Sequence, residues 1–210
     1  GLNESGVSAA VLLPFPWYSE IILQGFEPSN EVLYKSGASG DIGSLARMKN
    51  LLDFSDDLTM ELGLSGTAGK NQFDKTSSVL GGDLTFKWRP AVGGKYHAFI
   101  WSTEYMNGRI IGFTSEDTGE PIERLGGIAS WLQYQMAERW WAQGRYEYVG
   151  IPRARALEPQ NKQSVLIGFF PSEFSGIRVQ YDHIVNVGEG KANHTLAIQY
   201  NISIGAHPAH

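Results

Sequence analysis

Two runs near the C-terminus alternate with a period of two residues. In the first, Ile177, Val179, Tyr181, Val185 and Val187 fall on one side, and Arg178, Gln180, Asp182 and Asn186 on the other. In the second, His194, Leu196, Ile198, Tyr200, Ile202 and Ile204 oppose Thr195, Ala197, Gln199, Asn201 and Ser203. Such a period over about ten residues marks a β-strand whose two faces meet different media, one apolar and one wet. A soluble sandwich also supplies that contrast, so the discriminating question is whether the whole chain repeats the pattern and how its connections are distributed.

The pattern does repeat. Val7–Leu13 alternates up to Pro14, and Trp17–Phe26 follows after a tight connection; Glu27–Ile42 is a long polar loop. Ser44–Phe54 fits either a short amphipathic helix or a strand, and strand is preferred because Ser55-Asp56-Asp57 then turns into Leu58–Gly66. Thr67–Thr76 is polar, Leu80–Trp88 alternates up to Pro90, Ala91–Gly94 turns, and Tyr96–Asn107 alternates again. After a second long loop at Gly108–Leu125 come strands around Ile128–Met136 and Ala142–Tyr148, a polar loop at Ile151–Lys162, and a strand at Val165–Phe169 that meets the first C-terminal run across Pro171-Ser172-Glu173.

About eleven strands result. Short links (14–17, 54–57, 90–94, 138–140, 171–174) alternate strictly with longer ones (27–42, 67–77, 108–125, 150–162, 187–193), as in a bacterial outer-membrane barrel with turns at the periplasmic end and loops outside. The expected fold is therefore an all-β, antiparallel up-and-down transmembrane β-barrel, a single domain over residues 1–210. A single-chain bacterial barrel usually has an even number of strands with both termini in the periplasm. Parity therefore predicts at least one strand before Gly1 and twelve or more in all.

Composition agrees with that class. Charged residues are 19%, aromatics 12%, and glycines number 25 in 210 residues, a balance that suits a turn-rich β protein. The net charge of −5 gives no reason to expect nucleic acid, and the absence of cysteine removes disulfides and thiolate metal sites. No run approaches the eighteen or so apolar residues of a membrane helix. Alternating barrel strands give an unremarkable mean hydropathy like the −0.22 found here. Trp17, Trp88, Trp140, Trp141, Phe170 and Phe174 sit within a few residues of short links, where an interfacial aromatic girdle is expected at headgroup depth.

The polar faces carry both signs: Glu20, Arg47, Lys49, Asp53, Glu61, Asp83, Lys87, Glu104, Arg145, Glu147, Arg178 and Asp182. Facing lipid, a charge at the midplane costs about 2–4 kcal/mol, so these residues are expected to line the lumen. There they either pair across strands and close it, or line water and bias which solutes pass. No catalytic constellation is in view: Ser130 and Ser203 are mid-strand without a matching His and acid, and His97 lies at the short-link end. His207 and His210 end the chain in a Pro-containing tail with no element to align them, while His183 and His194 sit on neighbouring strands, so no metal site is assigned. No enzyme activity and no cofactor are expected. A soluble lipocalin-like barrel would explain the alternation with its apolar face inward. The strand count and the one-ended aromatics argue against it.

Four segments carry a resemblance: Lys49-Asn50-Leu51-Leu52-Asp53-Phe54-Ser55-Asp56-Asp57, Gly82-Asp83-Leu84-Thr85-Phe86-Lys87-Trp88-Arg89-Pro90, Phe170-Pro171-Ser172-Glu173-Phe174, and Ser203-Ile204-Gly205-Ala206-His207-Pro208-Ala209-His210. In these the chain resembles poorly characterised Gram-negative outer-membrane β-barrel proteins, some labelled zinc-regulated TonB-dependent outer-membrane receptor. The likeness covers most of the chain from Gly6 onward and rests on turns and strand ends, so it implies fold and bacterial outer-membrane location more than activity. A plug domain and the length of a 22-stranded receptor are not encoded, and the last residue, His210, is not the terminal aromatic usual in barrels. The expected function is a porin-like channel or transporter for small solutes, embedded in outer-membrane lipid. The alternative is a closed barrel whose outer loops bind a partner protein or ligand; self-association is compatible with either.

Overall fold

The computed structural model describes residues 5–30, 33–35, 40–112, 114, 119, 121, 124–151, 158–188 and 190–203. Its strands are β1 (Gly6–Leu12), β2 (Tyr18–Phe26), β3 (Ser29–Asn30), β4 (Tyr34–Lys35), β5 (Gly43–Ser55), β6 (Leu58–Lys70), β7 (Thr76–Trp88), β8 (Ala98–Arg109), β9 (Arg124–Ala137), β10 (Trp140–Val149), β11 (Gln160–Ser172), β12 (Ser175–Asn186) and β13 (Lys191–Ile202). Among the described residues there is no helix. Eleven strands form one sheet in the order β1-β2-β5-β6-β7-β8-β9-β10-β11-β12-β13, each antiparallel to its sequence neighbour, while β3 and β4 make a separate two-residue ribbon. The ambiguous 44–54 stretch is strand β5, paired along its length with β2 and β6.

Register sorts the side chains into two media. One row of directly opposed residues runs Leu52, Met60, Phe86, Trp101, Leu132, Gly144, Val165, Tyr181, Leu196 across nine strands. The row on the other face runs Glu20, Lys49, Gly63, Asp83, Glu104, Ala129, Glu147, Lys162, Ile184, Asn193. A one-residue slip in any ladder would exchange these sets, which is why the pattern specifies register so strongly. No second layer covers the apolar row. Among the described residues the buried hydrophobics are Phe26, Tyr34 and Ala98 alone, whereas Leu64, Leu80, Val165, Leu196 and Ile198 are exposed, the last at 72%.

The first and last strands of the sheet are not paired with each other. Because every ladder is antiparallel and the strands number eleven, β1 and β13 run in the same direction.

At one end of the sheet lie the turns 56–57, 138–139 and 173–174 and the links 13–17 and 89–97; at the other lie 27–42, 71–75, 110–123, 150–159 and 187–190. The strict alternation of short with long expected from sequence does not hold, since 71–75 and 187–190 are shorter than 89–97. The physical reason at 71–75 is that polar Thr67–Lys70 and Thr76–Val79 continue the β6–β7 ladder past the apolar band. Asn71 closes that hairpin: its amide donates to Ser77 Oγ (3.0 Å) and to the Ile111 carbonyl (2.7 Å), and its Oδ1 accepts from the Phe73 and Lys75 backbone N–H groups (3.0 and 3.1 Å). Asp74 can then take its positive φ of 55°. The 89–97 link is longer than expected because residues 91–96 form turns around Gly93, at φ 89°, so β8 starts at Ala98. Lys95 from this link meets Glu138 of the next turn at 2.7 Å. That hydrogen bond raises the lysine pKa and lowers the carboxyl pKa from its ordinary 4.5.

Two outcomes follow for the connections. Asn71→Ala removes the partner of one hydroxyl and one carbonyl oxygen and of two backbone N–H donors; equilibrium unfolding of the folded protein in detergent should register a loss of about 1–3 kcal/mol. The Glu138 carboxyl, whose folded pKa is depressed, tethers the 89–97 link at pH above 4.5 and lets go as pH falls through its lower folded value. Amide exchange of residues 91–96, corrected for intrinsic rate, should accelerate over that acid window in the native chain and show no such step in Glu138→Gln.

Candidate functional site

Along the ten ladders of the sheet the charges of the strand interiors gather on one face, so the site is a surface and not a cleft. Glu20, Arg47, Lys49, Glu61, Asp83, Lys87, Glu104, Arg145, Glu147, Arg178 and Asp182 all fall on this one face by register. Asp53, opposite Thr59, joins them. Ser102, Gln135, Ser164 and Asp182 are buried on this side, whereas on the apolar side the buried polar pair Ser19 and Asn50 lies at the turn end and the hydrophobic residues stand open. A flat sheet would expose both faces alike. This asymmetry is that of a sheet bent with its charged face inward.

The charges are partly consumed by one another. Arg47 on β5 reaches Asp83 on β7 at 3.0 Å, crossing β6 above Gly63. The crossing requires glycine there, because a Cβ on Gly63 would stand against the Asp83 carboxylate. Lys87 meets Glu61 at 2.6 Å, and Arg145 meets Glu147 at 2.7 Å. Lys162 sits between Glu147 (3.9 Å) and Asp182 (3.4 Å), and Gln180 donates to Asp182 at 2.8 Å. Sequence reading left Lys162 in a loop; the alternation through Lys162, Ser164, Leu166 and Gly168 was the signal that places it on β11. Arg178 has no carboxylate partner among the described residues. Its guanidinium lies 5.5 Å from the Phe170 ring centroid, as that of Arg145 lies 5.9 Å from Trp131.

The expected girdle divides. Trp17, Trp88 and Trp140 lie on the apolar side near the turn end, and Phe174 is exposed at its turn. Trp17 donates its indole N–H to Asn50 Oδ1 (3.3 Å), which also accepts from Ser19 (2.8 Å), and Trp140 packs on Phe169 at 4.7 Å. Trp141 and Phe170 are a correction: both lie on the charged face. Trp141 is opposite Gly168 in the register of the inward row, and the Phe170 ring lies over Gly168 and Gly176, where a Cβ would meet it at 2.9 and 2.6 Å. Proximity to a turn in sequence fixes depth but not face, and parity decides the face.

At the opposite end the ribbon of β3 and β4 folds back over the charged face. Tyr34 is fully buried, 5.7 Å from Phe26 and 3.0 Å from where a Cβ on Gly69 would be, and its hydroxyl donates to the Thr67 carbonyl at 3.4 Å. Burial raises the pKa of this phenol. Ser130, weighed as a nucleophile, is engaged with Thr103 (2.8 Å) and Trp101 (3.1 Å) on the apolar side. His183 and His194 are directly opposed, Nδ1 to Nδ1 at 3.4 Å, with Tyr181 2.6 Å from His194; no cluster of three or more metal-ligating side chains exists among the described residues. His207 and His210 lie outside the described residues.

The class defined by fold and site is a single-sheet, antiparallel all-β protein with one apolar and one charged face. Comparison with protein-family models, with curated proteins and with solved structures finds no match for the chain.

Gly63→Val should expel the Asp83 carboxylate from beneath Arg47. Stability measured by denaturant should fall by about 1–3 kcal/mol, the cost of inserting a side chain into an occupied site, and Gly63→Val combined with Asp83→Ala should recover part of it.

Proposed function

We propose that the protein is a β-barrel of the bacterial outer membrane that passes small solutes through a water-filled lumen of mixed charge. The observation that carries this reading is the apolar face: continuous across eleven strands, exposed, and set opposite a charged face, with three buried hydrophobics among the described residues in place of a core. A water-soluble chain of 210 residues buries most of its apolar surface; lipid is the medium in which leaving it outside is favourable. Aromatics bound the apolar band at both ends. Trp17, Trp88 and Trp140 lie toward the turns, and Tyr105, Tyr146 and Tyr148 toward the loops, as the two interfaces of a bilayer favour. The family resemblance of the turn segments points to the same location.

Hydrocarbon tolerates no unpaired sheet edge. Since β1 and β13 run in the same direction, closure is either a parallel ladder between them or an odd number of interposed strands that keeps every pair antiparallel. A barrel of this size exceeds the eight strands whose lumen side chains fill. Solute would meet Tyr34 and the β3–β4 ribbon at one mouth, then the ionic rows. Seven carboxylates, Glu20, Asp53, Glu61, Asp83, Glu104, Glu147 and Asp182, face six cations, Arg47, Lys49, Lys87, Arg145, Lys162 and Arg178, a near balance by which the passage selects weakly between small cations and anions. The ion pairs Arg47–Asp83 and Lys87–Glu61 favour the rival reading, a lumen closed by cross-strand pairing in a barrel whose loops bind a partner.

Planar-bilayer recording separates the two. The channel reading expects stable conductance steps of low ion selectivity, a shift toward cations in Arg145→Glu, and a larger step in Tyr34→Ala. Insertion without conductance would overturn it in favour of the closed barrel.

A further inference from the structure

The charged face holds a cavity at its turn end, of about 240 Å³, lined by Gln133, Trp141, Gln143, Leu166, Phe170 and Arg178. We propose that it is a subsite for a small carboxylate carrying a ring, the carboxylate held by Arg178 and the ring by Trp141, Phe170 and Leu166. The proposal rests on the reading that this face meets water, and it names the solute class the passage would favour.

Four features of the cavity assign the chemistry. First, its single charge is a cation that is not spent: Arg145, Arg47, Lys87 and Lys162 each face a carboxylate within 4 Å, whereas Arg178 lies against an aromatic ring. A contact with a ring face consumes none of the N–H donors of a guanidinium, which remain available for the two parallel bonds that a carboxylate accepts. Second, the ring beneath it is seated on purpose-shaped backbone. Phe170 lies on Gly168 and Gly176, and either Cβ would displace it; Gly168 is also the residue directly opposite Arg178. Third, Trp141 and Leu166 supply apolar walls beside two neutral amides, Gln133 and Gln143, which can bond a polar substituent without repelling an anion. Fourth, the volume lies below the roughly 300–1,000 Å³ of sites for drug-sized ligands, so one ring with its carboxylate is the scale that fits.

The test is equilibrium dialysis of radiolabelled benzoate against the full chain folded in detergent micelles, which needs no transport. Saturable binding of one benzoate per chain is expected, competed at least tenfold less well by benzamide, which lacks the charge, and by acetate, which lacks the ring. Arg178→Met should weaken it at least tenfold and Lys70→Gln, at the opposite end of the sheet, should leave it unchanged. Should Arg178→Met fail to fold, Arg178→Lys keeps the charge without the planar fork and should still weaken binding severalfold. No saturable binding, equal competition by benzamide or acetate, or native affinity in either Arg178 variant would each overturn the subsite. Conductance of the same preparation keeps the two readings apart: a conducting protein that binds no benzoate loses only the subsite, and a protein that binds benzoate without conducting loses only the channel.

Discussion

A single sheet has no inside of its own. Backbone ladders satisfy its hydrogen bonds in two dimensions and leave the third to the side chains, so the medium against each face has to be chosen by sequence. Here the choice is uniform over eleven strands, and everything else follows from it. The charged row can afford to be crowded only because its members meet one another and water. The apolar row stays bare because no layer is supplied to cover it. A second layer packed on this face would cover Leu80, Val165 and Ile198, and among the described residues they are some of the most exposed.

Within the charged face, glycine sets where the ion pairs and rings can lie. Gly63 lets a guanidinium and a carboxylate two strands apart meet over the intervening backbone, and Gly168 with Gly176 lets a phenyl ring lie flat against the sheet. The same device at Gly69 receives Tyr34. Each glycine trades strand propensity for a specific neighbour, and the neighbours are the groups that a solute crossing this face would touch first.

Much of this was legible before any coordinates. Period-two alternation supplied the eleven strands of the sheet and, by parity alone, the shared face of the charges from Glu20 to Asp182. It resolved β5, whose Leu45, Met48, Leu51 and Leu52 also fit a helix, because the turn at 56–57 demands a partner strand beside β6. What parity did not reach was anything set by polar residues extending a ladder, since Thr67–Lys70 and Lys162 look like loop until their partners are known. Depth and face were also confused at Trp141 and Phe170. A turn-proximal aromatic advertises itself equally whether it points to the apolar or to the charged face, and the neighbouring glycines that seat Phe170 lie on two strands. The three-dimensional reach of Arg47 to Asp83 and the fold-back of Tyr34 depend on contacts between strands and loops that no local pattern encodes.

Every ladder of the sheet joins strands adjacent in sequence, with one exception left over: the line between β1 and β13. Growth by hairpins brings together residues a few positions apart, whereas joining that line closes a loop of nearly the whole chain, an entropic cost of about 5 kcal/mol by the logarithmic law for flexible loops. Assembly therefore has a built-in sequence of events, with a curling ribbon first and the circumferential join last. Until that join forms, two rows of unsatisfied amides and carbonyls remain, one along Gly6–Leu12 and one along Lys191–Ile202. For the proposed barrel, those two rows must be sheltered until they meet each other, or an interposed strand, at the end.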